Sequence, residues 1–202
     1  MQPSFNSDFW DQRYATGTYV YSESPNVFLK AQTERLKPGK MLLPFEGEGR
    51  NAVYAATLGW EVTCFDFSTS GKYKADQLVQ KHGVTINYLD CDFRDFSWPD
   101  QHYDLVGLFY AHLPENNRKE LHSRILPKLD IGGLLLLEAF DKKQLGLASG
   151  GPQTTDMLYD IDILQTDFKH LRNRVIEQLR IKLDEGPGHQ VEAEILRLAA
   201  MR

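Results

Sequence analysis

The sequence predicts an α/β protein: a mostly parallel sheet with helices on both faces, finished by a C-terminal antiparallel hairpin. Three observations predict it. Short apolar runs alternate with segments of helical period between residues 24 and 140. The last fifth of the chain instead alternates apolar and polar residues on the far side of a Gly186-Pro187-Gly188 turn. With 202 residues, 42% apolar and 25% charged, the chain is long enough to bury a core in one domain of ordinary size.

Ser24-Pro25 reads as a cap and first-turn proline opening a helix to about Leu36, closed by Lys37-Pro38-Gly39. Met41 to Phe45 is the first strand, followed at once by Glu46-Gly47-Glu48-Gly49-Arg50. Asn51 to Leu58 reads as helix with Gly59 at its C-terminal cap. Glu61 to Phe65 is the second strand, tipped by Asp66-Phe67-Ser68, and a helix follows from about Ser70 to His82, stopping at Gly83. Val84 to Leu89 is the third strand, ending in Asp90-Cys91-Asp92-Phe93. Tyr103 to Phe109 is the fourth, ending in Tyr110-Ala111-His112-Leu113-Pro114. Leu121, Ile125 and Leu129 recur at the stride of a helix stripe, and Gly132-Gly133 marks the turn into the fifth strand, Leu134 to Phe140. Asn173 to Leu183 and Gln190 to Met201 form the hairpin. The organisation expected is one domain over 1–202. It comprises an N-terminal helical and aromatic cap (1–37), a core (38–140), a glycine-rich lid loop (141–158), and a helix with the hairpin (159–202).

Composition narrows the function classes. A net charge of −5, with the signs interspersed, sets a nucleic-acid partner aside. Two cysteines, Cys64 and Cys91, without a C-x-x-C pair imply neither a disulfide framework nor a metal site. No secretory signal opens the sequence and no apolar run is long enough for a bilayer, so a cytoplasmic protein acting on a small molecule is expected. Oligomeric state is not legible.

The chemistry concentrates at the strand tips. Gly47-x-Gly49-x-x-Ala52 stands between a strand and a helix, where glycines admit a ligand to the backbone and the helix N-terminus offers free N–H groups. Asp66 lies where a carboxylate meets ribose hydroxyls, with Phe67 beside it for an adenine face. Glu46, Glu48 and Asp66 make the turn acidic, which repels a pyrophosphate and attracts a sulfonium and an α-amino group. Asp92 is placed to receive an adenine amino group and Phe93 to pack on the ring. Together these favour S-adenosylmethionine over NAD. Phe9, Trp10, Tyr14, Tyr19 and Tyr21 can close over such a cofactor, their faces attracting the sulfonium. Arg13 and Arg50 are candidates to hold a carboxylate. Each feature also has a plainer reading as turn, cap, core or surface.

With these residues in view, the chain resembles a class I S-adenosylmethionine-dependent methyltransferase, and more narrowly the branch of tellurite-resistance and thiopurine-type enzymes. Trp10-Asp11-x-Arg13-Tyr14, Tyr19-x-Tyr21, Pro25-Asn26, Glu46-Gly47-Glu48-Gly49-Arg50-Asn51, Phe65-Asp66-Phe67-Ser68 and Asp92-Phe93 carry the resemblance. It continues through Tyr110-Ala111-His112-Leu113-Pro114, residues 132–140 and Gly150-Gly151-Pro152. It implies a Rossmann-like three-layer α/β/α sandwich with a seven-stranded sheet whose hairpin inserts the single antiparallel strand. It also adds Asn51 to the cofactor turn and puts the transferring methyl at Tyr110 and His112, the former a wall of the site, the latter a base or a substrate contact. Glu138 is a weaker substrate-site candidate. The acid and further glycine common before the turn are replaced by Leu43 and Phe45. The activity implied is methyl transfer to a small acceptor, most simply a thiol or other soft S, Se or Te nucleophile. A catalytically silent cofactor-binding domain and an NAD-dependent oxidoreductase are the alternatives.

Overall fold

Seven strands organise the backbone of a computed structural model that describes residues 7–202; residues 1–6 of the expected N-terminal cap lie outside the described residues. By contacts the chain forms two units, one of residues up to 100 with 185–187, the other of 101–184 with 188–202.

In the first unit, β1 (Lys40–Pro44), β2 (Glu61–Asp66) and β3 (Asn87–Asp90) run parallel, with Pro44 opposite Phe65 and Asp66 opposite Asp90. Met41, Leu42 and Leu43 are all fully buried, the uninterrupted burial of a parallel strand covered on both faces. Four helices accompany them: α1 (Ser7–Tyr14), α2 (Val27–Thr33), α3 (Arg50–Thr57) and α4 (Thr69–His82). The cap of α2 is Asn26, not Ser24: its carboxamide oxygen accepts from the N–H groups of Phe28 and Leu29, and Pro25 precedes the cap instead of following it. Gly49 caps α3 at φ 84°, and a Cβ there would stand 2.5 Å from Cβ of Ala75, so this glycine also sets how closely α4 packs on the turn. Ser68 caps α4 through Gly71 N–H, and Gly83 ends it in the left-handed conformation.

In the second unit, β4 (Tyr103–Phe109) lies parallel to β5 (Leu129–Phe140), and β7 (Gln190–Met201) runs antiparallel to both β5 and β6 (Arg172–Asp184). The accompanying helices are α5 (Glu115–Ile125) and α6 (Ile161–Asp167). Leu129 begins β5 and is not part of the helix stripe. Gly132-Gly133 is not a turn before the strand but an irregularity within it: Tyr103 pairs with Leu129 and Leu105 with Leu134. Residues 141–158 are anchored at several points. They hold two 3₁₀ turns, 142–144 and 155–157, and a bridge from Asp141 to Tyr159. Fully buried Gln144 donates to Ser149 Oγ (2.6 Å) and the Gly150 carbonyl (3.0 Å) and accepts from Glu194 N–H (2.9 Å).

The strand order is β3-β2-β1-β4-β5-β7-β6, with β7 antiparallel to each neighbour. This is the mostly parallel α/β sheet with a C-terminal hairpin that the sequence predicts.

Candidate active site

Parallel strands present their C-terminal tips as the ligand end of an open α/β sheet. In the first unit the tips of β1 and β2 hold Glu46 and Asp66, both buried. Asp66 accepts from Gly47 N–H (3.0 Å) and Ser68 N–H (2.9 Å), while Glu46 accepts from Ala52 N–H (2.7 Å). Burial pushes the Glu46 carboxyl up to about 7 and Asp66 to about 6, against the backbone N–H groups that favour their charge. The acidity of the turn is therefore narrower than the sequence suggests. Glu48 is matched by Lys74 in a buried ion pair at 2.7 Å, and its oxygens accept from Val20 and Tyr21 N–H groups. It latches the segment around residues 18–21 onto the turn.

The N-terminal aromatics gather over this turn. Trp10 stacks on Tyr14 with centroids 5.4 Å apart, and Tyr21 meets Tyr14 edge-on at 6.4 Å. The Arg13 guanidinium stands 5.8 Å from the Trp10 ring and 5.6 Å from the Tyr21 ring. Its Nε is buried and has no hydrogen-bond partner among the described residues. Tyr14 fills the face of Gly47: a Cβ on that glycine would lie 2.6 Å from the Tyr14 hydroxyl. Gly47, at φ 57°, thus admits a tyrosine of the same chain, and Tyr88 donates to its carbonyl at 2.7 Å.

Two residues expected at a ligand face inward. Arg50 donates to the Tyr21 carbonyl (3.0 Å) and pairs with buried Glu185 (2.9 Å), which corrects its reading as an anion holder. Asn51 accepts from Asn26 N–H (2.8 Å), a structural tie within the unit. Farther along the tips, Phe45 takes a left-handed φ of 57° and its ring lies about 6 Å from those of Phe65, Phe67 and Phe93 (5.9, 6.1 and 6.0 Å). Asp92 is bracketed by Arg94, whose Nε, Nη2 and backbone N–H donate to it at 2.8, 2.7 and 2.9 Å.

The second unit carries its own cluster at the tip of β4. Tyr110, at φ 55°, donates its hydroxyl to buried Glu138 (2.9 Å), and Glu138 is neutralised by Arg197 (2.6 Å). The ring of buried His189 lies 4.2 Å from that of Tyr110. His112 is fixed on both sides: Nδ1–H donates to the Met157 carbonyl (2.7 Å), and Nε2 accepts from Phe140 N–H (3.2 Å). Desolvation lowers its pKa to about 4. With both nitrogens bonded to backbone the ring is a neutral strut between β5 and the 155–157 turn, which corrects its reading as a general base. Glu185, Arg197, His189 and Lys74 escape sequence reasoning because each acquires its role from a partner distant in the chain.

An adenosyl sulfonium amino acid carries an anionic carboxylate, a cationic sulfonium and amine, and a flat base. The first unit offers a fit to each: an unpartnered buried guanidine nitrogen, two buried carboxyls held only by N–H donors, and rings at three adjacent strand tips. Among the described residues no group of three His, Cys, Asp or Glu side chains is placed to hold a metal, and no helix is long and apolar enough to cross a membrane.

Comparison with known proteins finds a profile match over part of the chain and solved structures of similar fold. The family profile described as "Methyltransferase domain" matches residues 46–133. A search of curated proteins finds no match. Among solved structures, one described under the conversion of a disulfide bond into a thioacetal group during echinomycin biosynthesis is similar at TM-score 0.75 and 16% identity, covering 100% of this chain and 91% of that one. TehB from Haemophilus influenzae is similar at TM-score 0.68 and 18% identity, covering 97% of this chain and 66% of that one. Magnesium protoporphyrin IX methyltransferase from Synechocystis PCC 6803, solved with bound S-adenosylhomocysteine, is similar at TM-score 0.68 and 14% identity, covering 99% of each.

Proposed function

We propose that this chain, whose residues 46–133 match the methyltransferase-domain profile, is a class I S-adenosylmethionine-dependent methyltransferase and that it methylates a small acceptor through a soft sulfur, selenium or tellurium nucleophile. When bound, S-adenosylmethionine supplies an electrophilic methyl on a sulfonium. In this reading Arg13 holds the carboxylate of the amino-acid end, and Trp10, Tyr14 and Tyr21 wall it. Glu46 and Asp66 face the amine and the ribose across the glycine turn of Gly47 and Gly49. Phe67 takes the base together with Phe45, while Phe93, fully buried against Phe45, lies behind that surface and not on the base. Glu48, Arg50 and Asn51 keep the turn and the 18–21 segment in place.

The observation that carries the soft acceptor is His112. Its ring is engaged by Met157 and Phe140 and stays neutral down to about pH 4, so it takes no proton from an oxygen or nitrogen nucleophile. A thiolate or its heavier analogue arrives already deprotonated and needs alignment above all, which positioning supplies. Tyr110, fixed by Glu138 and Arg197, is the proposed wall for that acceptor.

Thermal unfolding with S-adenosylhomocysteine, and NAD in parallel, tests the cofactor. Ligand at about a hundred times its dissociation constant stabilises by roughly 2.7 kcal/mol, a shift of a few degrees. That shift is expected with the homocysteine nucleoside alone, and Arg13→Ala is expected to diminish it. A panel of thiol, hydroxyl and amine acceptors then tests the nucleophile. Product is expected from thiols only, with His112→Gln retaining most of the rate; a shift without product from any acceptor would favour a silent binding domain.

A further inference from the structure

We infer that the base end of this site grips a nucleobase by its face and does not read its exocyclic amino group, so that cofactor forms with bases other than adenine are also accepted. The inference rests on the cofactor reading above. Phe45, Phe67 and Phe93 follow three neighbouring strands, and the Phe45 ring lies within about 6 Å of the other two. Phe45 and Phe67 are part-exposed, whereas the two other rings that meet Phe45, Phe93 and Phe65, are fully buried, Phe65 stacking on Phe96 at 4.4 Å. Phe45 keeps a left-handed backbone that disfavours any side chain, a conformation retained only where its surroundings fix it. The result is an aromatic surface for a flat ring, and every base has a π-face to offer it.

Selective recognition of adenine would need an acceptor aimed at its amino group. Asp92, next to Phe93, is the carboxylate that the sequence places for that role, and the three hydrogen bonds its side chain accepts among the described residues all come from Arg94; Asp90, at the end of the strand, accepts from Thr69. The guanidinium also stands 5.7 Å from the Phe93 ring, so the pair is braced against the same aromatic surface. A base amino group therefore meets a carboxylate whose charge is already shared with a bidentate cation and whose Oδ2 keeps one acceptor site, so the added hydrogen bond gains little. Arg94 is thus the residue that sets base selectivity.

Calorimetric titration of the purified chain with S-adenosylhomocysteine and S-inosylhomocysteine, which differ by an amino or an oxo group on the base and by the N1 proton that accompanies the oxo group, tests this. The two dissociation constants are expected to agree within roughly threefold. Arg94→Ala, an exposed position whose loss frees Asp92, is expected to open a preference of about tenfold or more for the adenosyl compound, the discrimination typical of one well-made hydrogen bond to a base. Phe45→Gly is expected to weaken both ligands by similar factors. Wild-type preference for the adenosyl compound of about tenfold or more, or an unchanged ratio in Arg94→Ala, would overturn the inference while leaving the cofactor reading intact. Binding of neither compound would overturn both.

Discussion

Glu46 illustrates how one residue ties the glycine turn to the energetics of the chain. Its carboxyl is held at about 7 by burial, well above the unfolded value near 4.5. The folded chain therefore binds an extra proton between those values, and this group's cost grows as pH rises from about 4.5 to 7. Glu46→Gln keeps the oxygen that accepts from Ala52 N–H. The variant is expected to match the wild type near pH 4 and to exceed it by up to about 3 kcal/mol at pH 8, measured by urea unfolding across the range. The opposite sign belongs to His112, whose lowered pKa removes stability as pH falls from 6.5 towards 4, so the difference between variant and wild type is the informative curve. The candidate residues whose position the sequence makes legible are those at strand tips, because a tip is announced by an apolar run ending in a charged or aromatic residue. What it could not reach is whether a side chain there faces a ligand or the protein. Arg50 and His112 are charged or titratable at tips, and both are consumed by partners 135 and 45 positions away.

At the scale of elements, α2 depends on its cap. Asn26 accepts from two N–H groups of the first turn, gives its own N–H to Asn51, and donates through its carboxamide to Glu185. Asn26→Ala is expected to cost about 1–2 kcal/mol in urea unfolding, the upper part of the range for lost caps. Ser24-Pro25 mimics a helix start because serine then proline is itself a start signal, and only the geometry shows the cap falling two residues later, at Asn26. The fourth strand and the C-terminal hairpin were legible almost to the residue, since continuous or alternating apolar patterns leave little choice of register. The glycine pair in β5 was not, because Gly-Gly reads equally as a turn and as an irregularity. Leu129 misled for a related reason: the first buried residue of the strand falls on the stride of the preceding helix.

For the molecule as a whole, the strand order could be expected from the alternation of elements and the terminal hairpin, but the long-range ion pairs that fasten it could not. Arg50 and Glu185 are both buried, with side chains less than a tenth exposed. Arg50→Ala removes the buried cation that faces the Glu185 carboxylate and is expected to cost about 3–5 kcal/mol, whereas Lys81→Ala, which breaks the exposed pair with Glu23, is expected to cost under about 1 kcal/mol. Chemical unfolding of the two variants side by side checks the contrast.

The same pairing has a consequence for how the chain is made. Residues 185–187 belong to the unit formed by the first hundred residues, and Gly186 fits there because a side chain at that position would strike Ser22 N at 2.5 Å. During synthesis the strands and helices of that unit leave the ribosome long before Glu185 does. Until it arrives, the guanidinium of Arg50 lacks its counterion and the segment around Tyr21 lacks its neighbour. The first unit is therefore completed by a turn that follows its other residues by more than eighty positions in the chain.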